Sequence, residues 1–121
     1  MTPTLVDTSV WVDHLRHSNR DLGARLSDGV VVSHPFVVGE LACGSLRDRT
    51  EILSLLDSLP SVPVLPDDEV RHLIEARELW GKGLGWVDVH LIGSALVGGV
   101  ALWTADLRLA AAVVELGLAS A

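Results

Sequence analysis

Four acidic residues stand beside or within apolar segments that are far apart in the sequence: Asp7, Glu40, Asp88 and Asp106. Four carboxylates brought together would repel one another and raise one another's pKa values unless a cation neutralised them. Hard divalent cations such as Mg²⁺ and Mn²⁺ prefer oxygen ligands. Two such ions can activate a water molecule and stabilise the leaving oxygen when a phosphodiester bond is cleaved. Convergence of the four acids would therefore predict metal-dependent phosphodiester hydrolysis.

Hydroxyl side chains stand close to two of these acids. Thr8 and Ser9 follow Asp7 directly. Thr104 lies just before Asp106, with one residue between them. Each hydroxyl could position a water molecule near a metal ion, or could cap a helix, and the sequence leaves both roles open.

Two kinds of apolar segment alternate along the chain and define the elements that must position the acids. Short runs rich in β-branched residues predict strands, and apolar residues three or four positions apart predict helices. The predicted extended segments are Thr4–Val6, Val30–Ser33, Val62–Leu65 and Val100–Trp103. The first predicted helix begins at the N-cap Ser9. The others span residues 19–28, 35–44, 48–59, 66–82, 88–97 and 107–116. We expect Val62–Leu65 at a sheet edge, because Pro63 removes a ladder donor.

Strands that alternate with helices indicate a parallel sheet covered on both faces. We therefore expect a three-layer α/β/α fold with a central, mainly parallel sheet of four to five strands. In such a sheet Asp7 and Asp106 share one edge, because both follow the carboxyl ends of strands. Glu40 and Asp88, on early helical turns, can converge on the same edge. Open α/β sheets bind their ligands there.

Length and charge restrict the class of protein. With 121 residues, 49 % of them hydrophobic, the chain is expected to form one domain spanning residues 1–121. The formal net charge of −7 argues against a protein that binds nucleic acid through a basic face. It does not argue against an enzyme that meets nucleic acid through bound cations. Arg16, Arg47 and Arg108 are candidate contacts for substrate phosphates.

The sequence suggests neither a membrane segment nor a secretion signal. There is no uncharged apolar run of about 18 residues, and the N-terminus lacks a basic region followed by an apolar core. The single Cys43 cannot form a disulfide within the chain, nor can it build a thiolate zinc cluster. We therefore expect a cytoplasmic protein without membrane attachment.

Each acid also has a purely structural interpretation. Asp7, Asp88 and Asp106 could cap helices, and Glu40 could be a solvated surface residue. Two other classes of function also stay open. An Asp-dependent phosphatase-like hydrolase would use Asp7 as a covalent nucleophile, although it would want a second acid where Ser9 stands. A non-catalytic acidic α/β binding module would keep the acids for structural reasons only.

Four motifs together resemble the PIN-domain ribonucleases, most closely the toxins of VapBC-type toxin–antitoxin pairs. They are Leu5–Trp11, Gly39–Leu41 with Gly44, Trp86–Ile92 and Leu102–Asp106. They occur in the family's order and cover nearly the whole chain.

This resemblance implies an endoribonuclease that depends on Mg²⁺ or Mn²⁺ and cleaves RNA with a metal-activated water molecule. It also implies a parallel PIN-like sheet, a homodimer and inhibition by a small cognate antitoxin. The positions that match the family's acidic metal site are Asp7, Glu40, Asp88 and Asp106. The chain departs from the pattern after Gly117, because only Leu118–Ala121 remain, so we expect a final edge strand to be minimal or absent.

Overall fold

The computed structural model describes residues 2–119, and within them it contains three strands and seven helices. The strands are β1 (Thr4–Val6), β2 (Val31–Val32) and β3 (Ala101–Trp103). The helices are α1 (Thr8–His17), α2 (Arg20–Ser27), α3 (Pro35–Cys43), α4 (Arg49–Ser58), α5 (Asp67–Ala76), α6 (Trp86–Gly98) and α7 (Leu107–Glu115). The fold is α/β, as the alternation of segments predicted. In this span no helix combines the length and apolar character needed to cross a membrane.

The sheet is parallel, and β1 lies at its centre. The strand order is β2-β1-β3, with Thr4 opposite Val31 on one side and Val6 opposite Trp103 on the other. The chain first crosses from β1 to β2 and later returns past β1 to β3. This reversal places a topological switch beside the carboxyl end of β1, where open α/β sheets form a ligand-binding crevice. Asp7 follows β1 at that point.

Apolar burial explains why the sheet and its supporting helices hold together. Leu5 and Val6 of β1 are completely buried, and Trp11 of α1 belongs to the same core. Helix α6 has an unbroken buried run, Val89–Ala95. A helix that is apolar on most sides must be enclosed by other elements. Burial of each Leu or Val side chain stabilises the fold by roughly 1.5–3 kcal/mol. The packed core therefore supports the carboxyl edge of the sheet.

The expected number of four to five strands is wrong for the part of the chain that the structure describes. Residues 62–65 form no strand, and a single isolated parallel bridge joins Ser33 to Ser61 beside them. Prolines at positions 60, 63 and 66 interrupt this segment. Because proline has no amide hydrogen, a longer ladder cannot form here.

The predicted minimal edge strand at the C-terminus is only partly within the described residues. The Leu102 amide donates to the Ala119 carbonyl at 3.1 Å, beside β3. Leu118 and Ala119 nevertheless adopt no strand conformation. Ser120 and Ala121, the rest of the expected strand, lie outside the described residues.

Two helix boundaries also differ from the sequence prediction. The helix expected over residues 66–82 ends at Ala76. Glu78 adopts a φ of +54°, a left-handed conformation that cannot continue an α-helix. The helix expected to begin at Asp88 begins at Trp86 instead, because the preceding glycine forms a capping arrangement with Asp88 that is described below.

Candidate functional site

Asp7 is almost completely buried at the carboxyl end of β1, with 7 % of its surface exposed. Its backbone occupies the N-cap position of α1, where Ser9 was predicted, so that prediction is wrong. No side-chain cap bond from Asp7 to the helix occurs among residues 2–119. Instead, Oδ2 accepts hydrogen bonds from Ser9 Oγ and Thr104 Oγ1, each at 2.8 Å. Two hydroxyls, and not the helix end, therefore orient this carboxylate.

The two hydroxyls are themselves fixed by the turn between β3 and α7. Ser9 Oγ accepts from the Ala105 amide at 3.0 Å, and Thr104 Oγ1 accepts from the Asp106 amide at 3.0 Å. Each hydroxyl has one proton, which it gives to Asp7. The 3.3 Å approach of Ser9 Oγ to Thr104 Oγ1 is therefore a close contact and not a further hydrogen bond. The network ties β1 to the β3–α7 turn.

Glu40 is an exposed residue of α3 that reaches toward the start of α1. Thr8 Oγ1 donates to Glu40 Oε1 at 2.7 Å. This hydrogen bond is charge-assisted, because its acceptor is an ionised carboxylate. Such bonds are stronger than those between neutral groups. Thr8 thus orients Glu40 in the same way as Ser9 and Thr104 orient Asp7, and the three predicted hydroxyl residues all contact predicted acids.

Asp88 is the third residue of α6 and is linked to the loop before it. The Gly85 amide donates to Asp88 Oδ2 at 2.8 Å, which completes a capping arrangement at this helix end. Burial raises the pKa of Asp88, and the negative charges of Asp7, Asp106 and Glu40 raise it further, whereas the Gly85 hydrogen bond opposes the shift. The repulsion from all three other acids indicates that the four carboxylates share one region.

Asp106 occupies the N-cap position of α7. Its Oδ1 accepts from the Arg108 amide at 2.9 Å and from the Leu109 amide at 3.1 Å. The structural interpretation of this residue as a helix cap is therefore correct for one oxygen. The side chain also has a second effect, because the negative charge of Asp106 raises the pKa of Asp88.

The donor set of this region suits a hard cation. It consists of carboxylate oxygens supported by hydroxyls, which are the ligands that Mg²⁺ and Mn²⁺ prefer. Burial is the main reason for the raised pKa of Asp88, and the charges of Asp7, Asp106 and Glu40, which a cation would neutralise, add to it. In residues 2–119, however, no three side chains of His, Cys, Asp or Glu lie close enough together to enclose one ion. Ion binding would therefore bring carboxylates of this region closer together than they lie here.

A groove begins at Thr8 and Glu40 and runs away from the acids between α1, α3 and the segment that leads to α4. Its volume is about 640 Å³. Arg16 and Arg47, two of the predicted phosphate contacts, line this groove. The third, Arg108, lies elsewhere, against Gly83. The structure thus divides the three candidate cations between two sides of the acidic region.

Sequence reasoning missed the buried histidines behind the site. His34 is completely buried as the N-cap of α3, and its Nδ1 accepts from the Phe36 amide at 3.0 Å. Its Nε2 therefore carries the proton and donates to Ser94 Oγ at 3.2 Å. Burial, followed by the nearby His90, lowers the pKa of His34 to about 4. The available signal was Pro35, which fits the first position of a helix and so places His34 at the N-cap.

Comparison with known proteins adds three findings. The chain matches the sequence model described as PIN domain over residues 4–114. It is 52 % identical over 118 residues to ribonuclease VapC32 in two strains of Mycobacterium tuberculosis, which covers 97 % of this chain and 95 % of that protein. The crystal structure of PAE2754 from Pyrobaculum aerophilum aligns with a TM-score of 0.63 and 19 % identity, over 91 % of this chain and 84 % of that one. The last similarity shows the fold alone.

Proposed function

This chain belongs to the PIN-domain family, and we propose that it is a VapC-type endoribonuclease, the toxin of a toxin–antitoxin pair. The observation that supports this proposal is the hydrogen-bond network at the carboxyl end of β1, in which hydroxyls hold Asp7 and Glu40 and connect Asp7 to the turn that carries Asp106. Burial first, and then the charges of the other three acids, raise the pKa of Asp88. The identity of 52 % to a curated ribonuclease over almost the whole chain supports the same conclusion.

Asp7, Glu40, Asp88 and Asp106 are proposed as the residues that hold the metal, and Mg²⁺ or Mn²⁺ as the ion. Once bound, the ion would lower the pKa of an attacking water molecule and stabilise charge on the leaving oxygen. Asp7 is held ready for this role by the hydroxyls of Ser9 and Thr104. These bonds fix the direction of the carboxylate, so little entropy is lost when it takes up a ligand.

The other protein groups act on charge and orientation. Thr8 fixes Glu40 through its 2.7 Å hydrogen bond. Asp88 must be ionised to serve as a ligand, and neutralisation of the surrounding charges favours that ionised form. Metal binding and deprotonation of Asp88 are therefore coupled.

RNA is the proposed substrate, and the groove beside the acids is a proposed path for part of the strand. Arg16 and Arg47 line it together with apolar residues of α1 and α3. Arginine suits phosphate because its planar guanidinium can donate two hydrogen bonds at once. The net charge of −7 makes such local cations important, because the rest of the surface repels RNA.

A small antitoxin is the proposed partner, and a homodimer the proposed assembly. Carboxylates form strong, charge-assisted hydrogen bonds with arginine or lysine. A partner that placed such a cation among them would compete with the metal. Co-expression with a small reading frame encoded next to this gene should rescue growth, and the purified complex should cleave RNA poorly.

The central experiment compares RNA cleavage by the wild type, by Asp7→Asn and by Asp57→Asn, with Mg²⁺ or Mn²⁺ and with EDTA. Asp57 is an exposed acid of α4 and provides a control of equal charge change. We expect cleavage only with metal, full activity in the control, and a loss of at least about 100-fold in Asp7→Asn. Cleavage that persists in EDTA, or in Asp7→Asn, would contradict the proposal.

A further inference from the structure

We infer that Arg108 binds a phosphate of the RNA strand next to the one being cleaved, and that Gly83 creates the space in which its side chain lies. The inference rests on the proposed ribonuclease function and extends it by naming a substrate contact. Two contacts of Arg108 locate it beside the acidic region, one to the start of its own helix and one to the loop before α6, and a separate ion pair joins that loop to the helix.

The first contact joins Arg108 to Asp106. The Arg108 amide donates to Asp106 Oδ1 at 2.9 Å, so the arginine stands in the first turn of α7, two residues after one of the four acids. Its side chain is exposed. This cap fixes the start of α7. It therefore also fixes the Cα atom from which the arginine side chain extends.

The second contact joins the arginine side chain to Gly83. A Cβ atom at position 83 would lie 2.5 Å from Arg108 Cδ and 3.0 Å from both Nε and Nη1. These distances are shorter than a van der Waals contact between such atoms, so only glycine leaves room for the arginine in this position. Gly83 also has a φ of +78°, which glycine adopts without strain.

The loop that carries Gly83 also carries the support of Asp88. Gly85, two residues further on, donates its amide to Asp88 Oδ2 at 2.8 Å. The side chain of Arg108 therefore runs from the first turn of α7, two residues after Asp106, toward the loop that supports Asp88. It bridges the structural supports of two acids in the site.

An ion pair keeps the loop against α7. Lys82 Nζ lies 2.7 Å from Glu115 Oε2, and Glu115 is the last residue of that helix. Adjacent residues of the loop thus contact both ends of α7, Lys82 at the C-terminal end and Gly83 at the N-terminal end. The loop and the arginine form one packed unit, which preorganises the side chain.

The charge of Arg108 is available to a ligand. Within residues 2–119, the guanidinium forms no salt bridge to a carboxylate within 4.0 Å. A phosphate that enters the acidic region is repelled by the carboxylates and by the net charge of −7, so a nearby protein cation would favour its binding. Arg108 is exposed to solvent, and its side chain lies against the loop beside two of the acids. It can therefore supply the cation for one phosphate.

The test uses the purified full chain and a fluorescein-labelled, single-stranded RNA of random sequence, with EDTA present to prevent cleavage. Fluorescence anisotropy gives the dissociation constant as a function of KCl concentration. Four single variants form two matched pairs. Arg108→Ala is compared with Arg71→Ala, which removes the same charge from an exposed position of α5. Gly83→Ala is compared with Gly81→Ala.

The glycine pair separates backbone strain from displacement of the arginine. Gly81 has a φ of +73°, close to that of Gly83, but among the described residues nothing lies within 4 Å of a Cβ built there. Both alanine variants strain the same loop, at a cost of about 1 kcal/mol or more. Only Gly83→Ala pushes the Arg108 side chain away. Thermal melting of all variants checks that they are folded.

We expect Arg108→Ala and Gly83→Ala to weaken RNA binding about tenfold and to reduce the slope of log Kd against log[KCl] by about 0.7, the value for one phosphate contact of a single strand. Arg71→Ala and Gly81→Ala should keep the wild-type slope. With Mg²⁺, the KM for RNA should rise more than kcat falls. Adding Gly83→Ala to Arg108→Ala should change nothing further, because the displaced group is gone.

Three results would overturn the inference. The first is an Arg108→Ala slope equal to that of Arg71→Ala. The second is an equal effect of Gly83→Ala whether or not Arg108 is present. The third is RNA binding that survives in Arg108→Ala while co-purification with the antitoxin is lost, which would assign the residue to the protein partner. Failure of the ribonuclease function itself is seen separately, as absence of metal-dependent cleavage by the wild type.

Discussion

Thr104 donates a hydrogen bond to Asp7 across 97 residues of sequence, with Oγ1 and Oδ2 2.8 Å apart. The parallel pairing of β1 with β3 brings the two residues together, because Val6 stands opposite Trp103 and each polar residue comes next in the chain. The backbone continues the pairing, since the Asp7 amide donates to the Trp103 carbonyl at 2.8 Å. Strand register therefore determines which way the buried carboxylate points.

Removal of the Thr104 hydroxyl should weaken metal binding without unfolding the protein. Thr104→Val keeps the shape of the side chain but leaves Asp7 with one hydroxyl donor. We expect metal affinity and cleavage to fall about 10- to 100-fold, as is usual when a supporting hydrogen bond is lost. Thermal melts over a Mn²⁺ titration measure the affinity, and Thr104→Ser is the matched control because it restores the donor. Equal affinity in Thr104→Val and wild type would refute this role.

Mn²⁺ or Mg²⁺ should raise the melting temperature of the wild type. A ligand that binds only the folded state stabilises it by about 2.7 kcal/mol when its concentration is 100 times Kd. The shift should shrink in Asp88→Asn and Asp106→Asn and persist in Asp57→Asn, whose acid lies on α4. Differential scanning fluorimetry at millimolar metal measures it. An unchanged melting temperature in the wild type would count against a carboxylate metal site.

Asp88 should make the metal-free protein less stable as pH rises. Burial first, and then the charges of Asp7, Asp106 and Glu40, raise its pKa above the ordinary value of 3.8. The folded state therefore holds the proton more tightly than the unfolded state, so this stabilising contribution is complete below pH 3.8 and is lost as pH rises through the folded-state pKa.

The variant Asp88→Asn isolates this effect because it cannot ionise. In EDTA, its stability relative to the wild type should increase as pH rises above 3.8. Urea unfolding at a series of pH values measures the difference. Parallel curves for the two proteins would show that Asp88 carries no raised pKa.

His34 should have the opposite effect on stability. Burial and the neighbouring His90 lower its pKa from 6.5 to about 4, so the unfolded state binds more protons between these values. Stability should fall as pH drops through that window, by about 3 kcal/mol once His34 is protonated in both states. His34→Asn, which keeps an N-cap acceptor for Phe36, should show a shallower dependence. His17→Asn, an exposed control, should retain the wild-type slope.

Several features could be predicted from the sequence because they depend on neighbouring residues. Alternating apolar segments predicted the α/β class, and Asn19 and Asp106 cap their helices with the local bonds that their residue types favour. The prediction that Glu40 and Asp88 belong to the metal site came from their expected places on early helical turns, and it stays a prediction. Such features rest on periodicity and capping, which a short stretch of sequence contains in full.

Other features depended on contacts that no local pattern records. The segment expected as a strand at residues 62–65 forms none, and beside it Ser61 pairs with the distant Ser33 in a single isolated bridge. The helix expected to reach residue 82 stops at Ala76, because the chain turns at Glu78 and Leu79 packs back into a small cluster with Val70. Tertiary packing outweighed helix propensity there.

The sequence by itself determined the family, and it supplied the four acids and three hydroxyls that we propose for the site. Only the tertiary structure decided that Ser9 and Thr104 hold one oxygen of Asp7, and that Arg108 lies across Gly83. The physical reason is that residue type sets what a side chain can bind, whereas its direction and desolvation are set by groups from distant segments. Those groups meet only when the parallel sheet and its helices pack together.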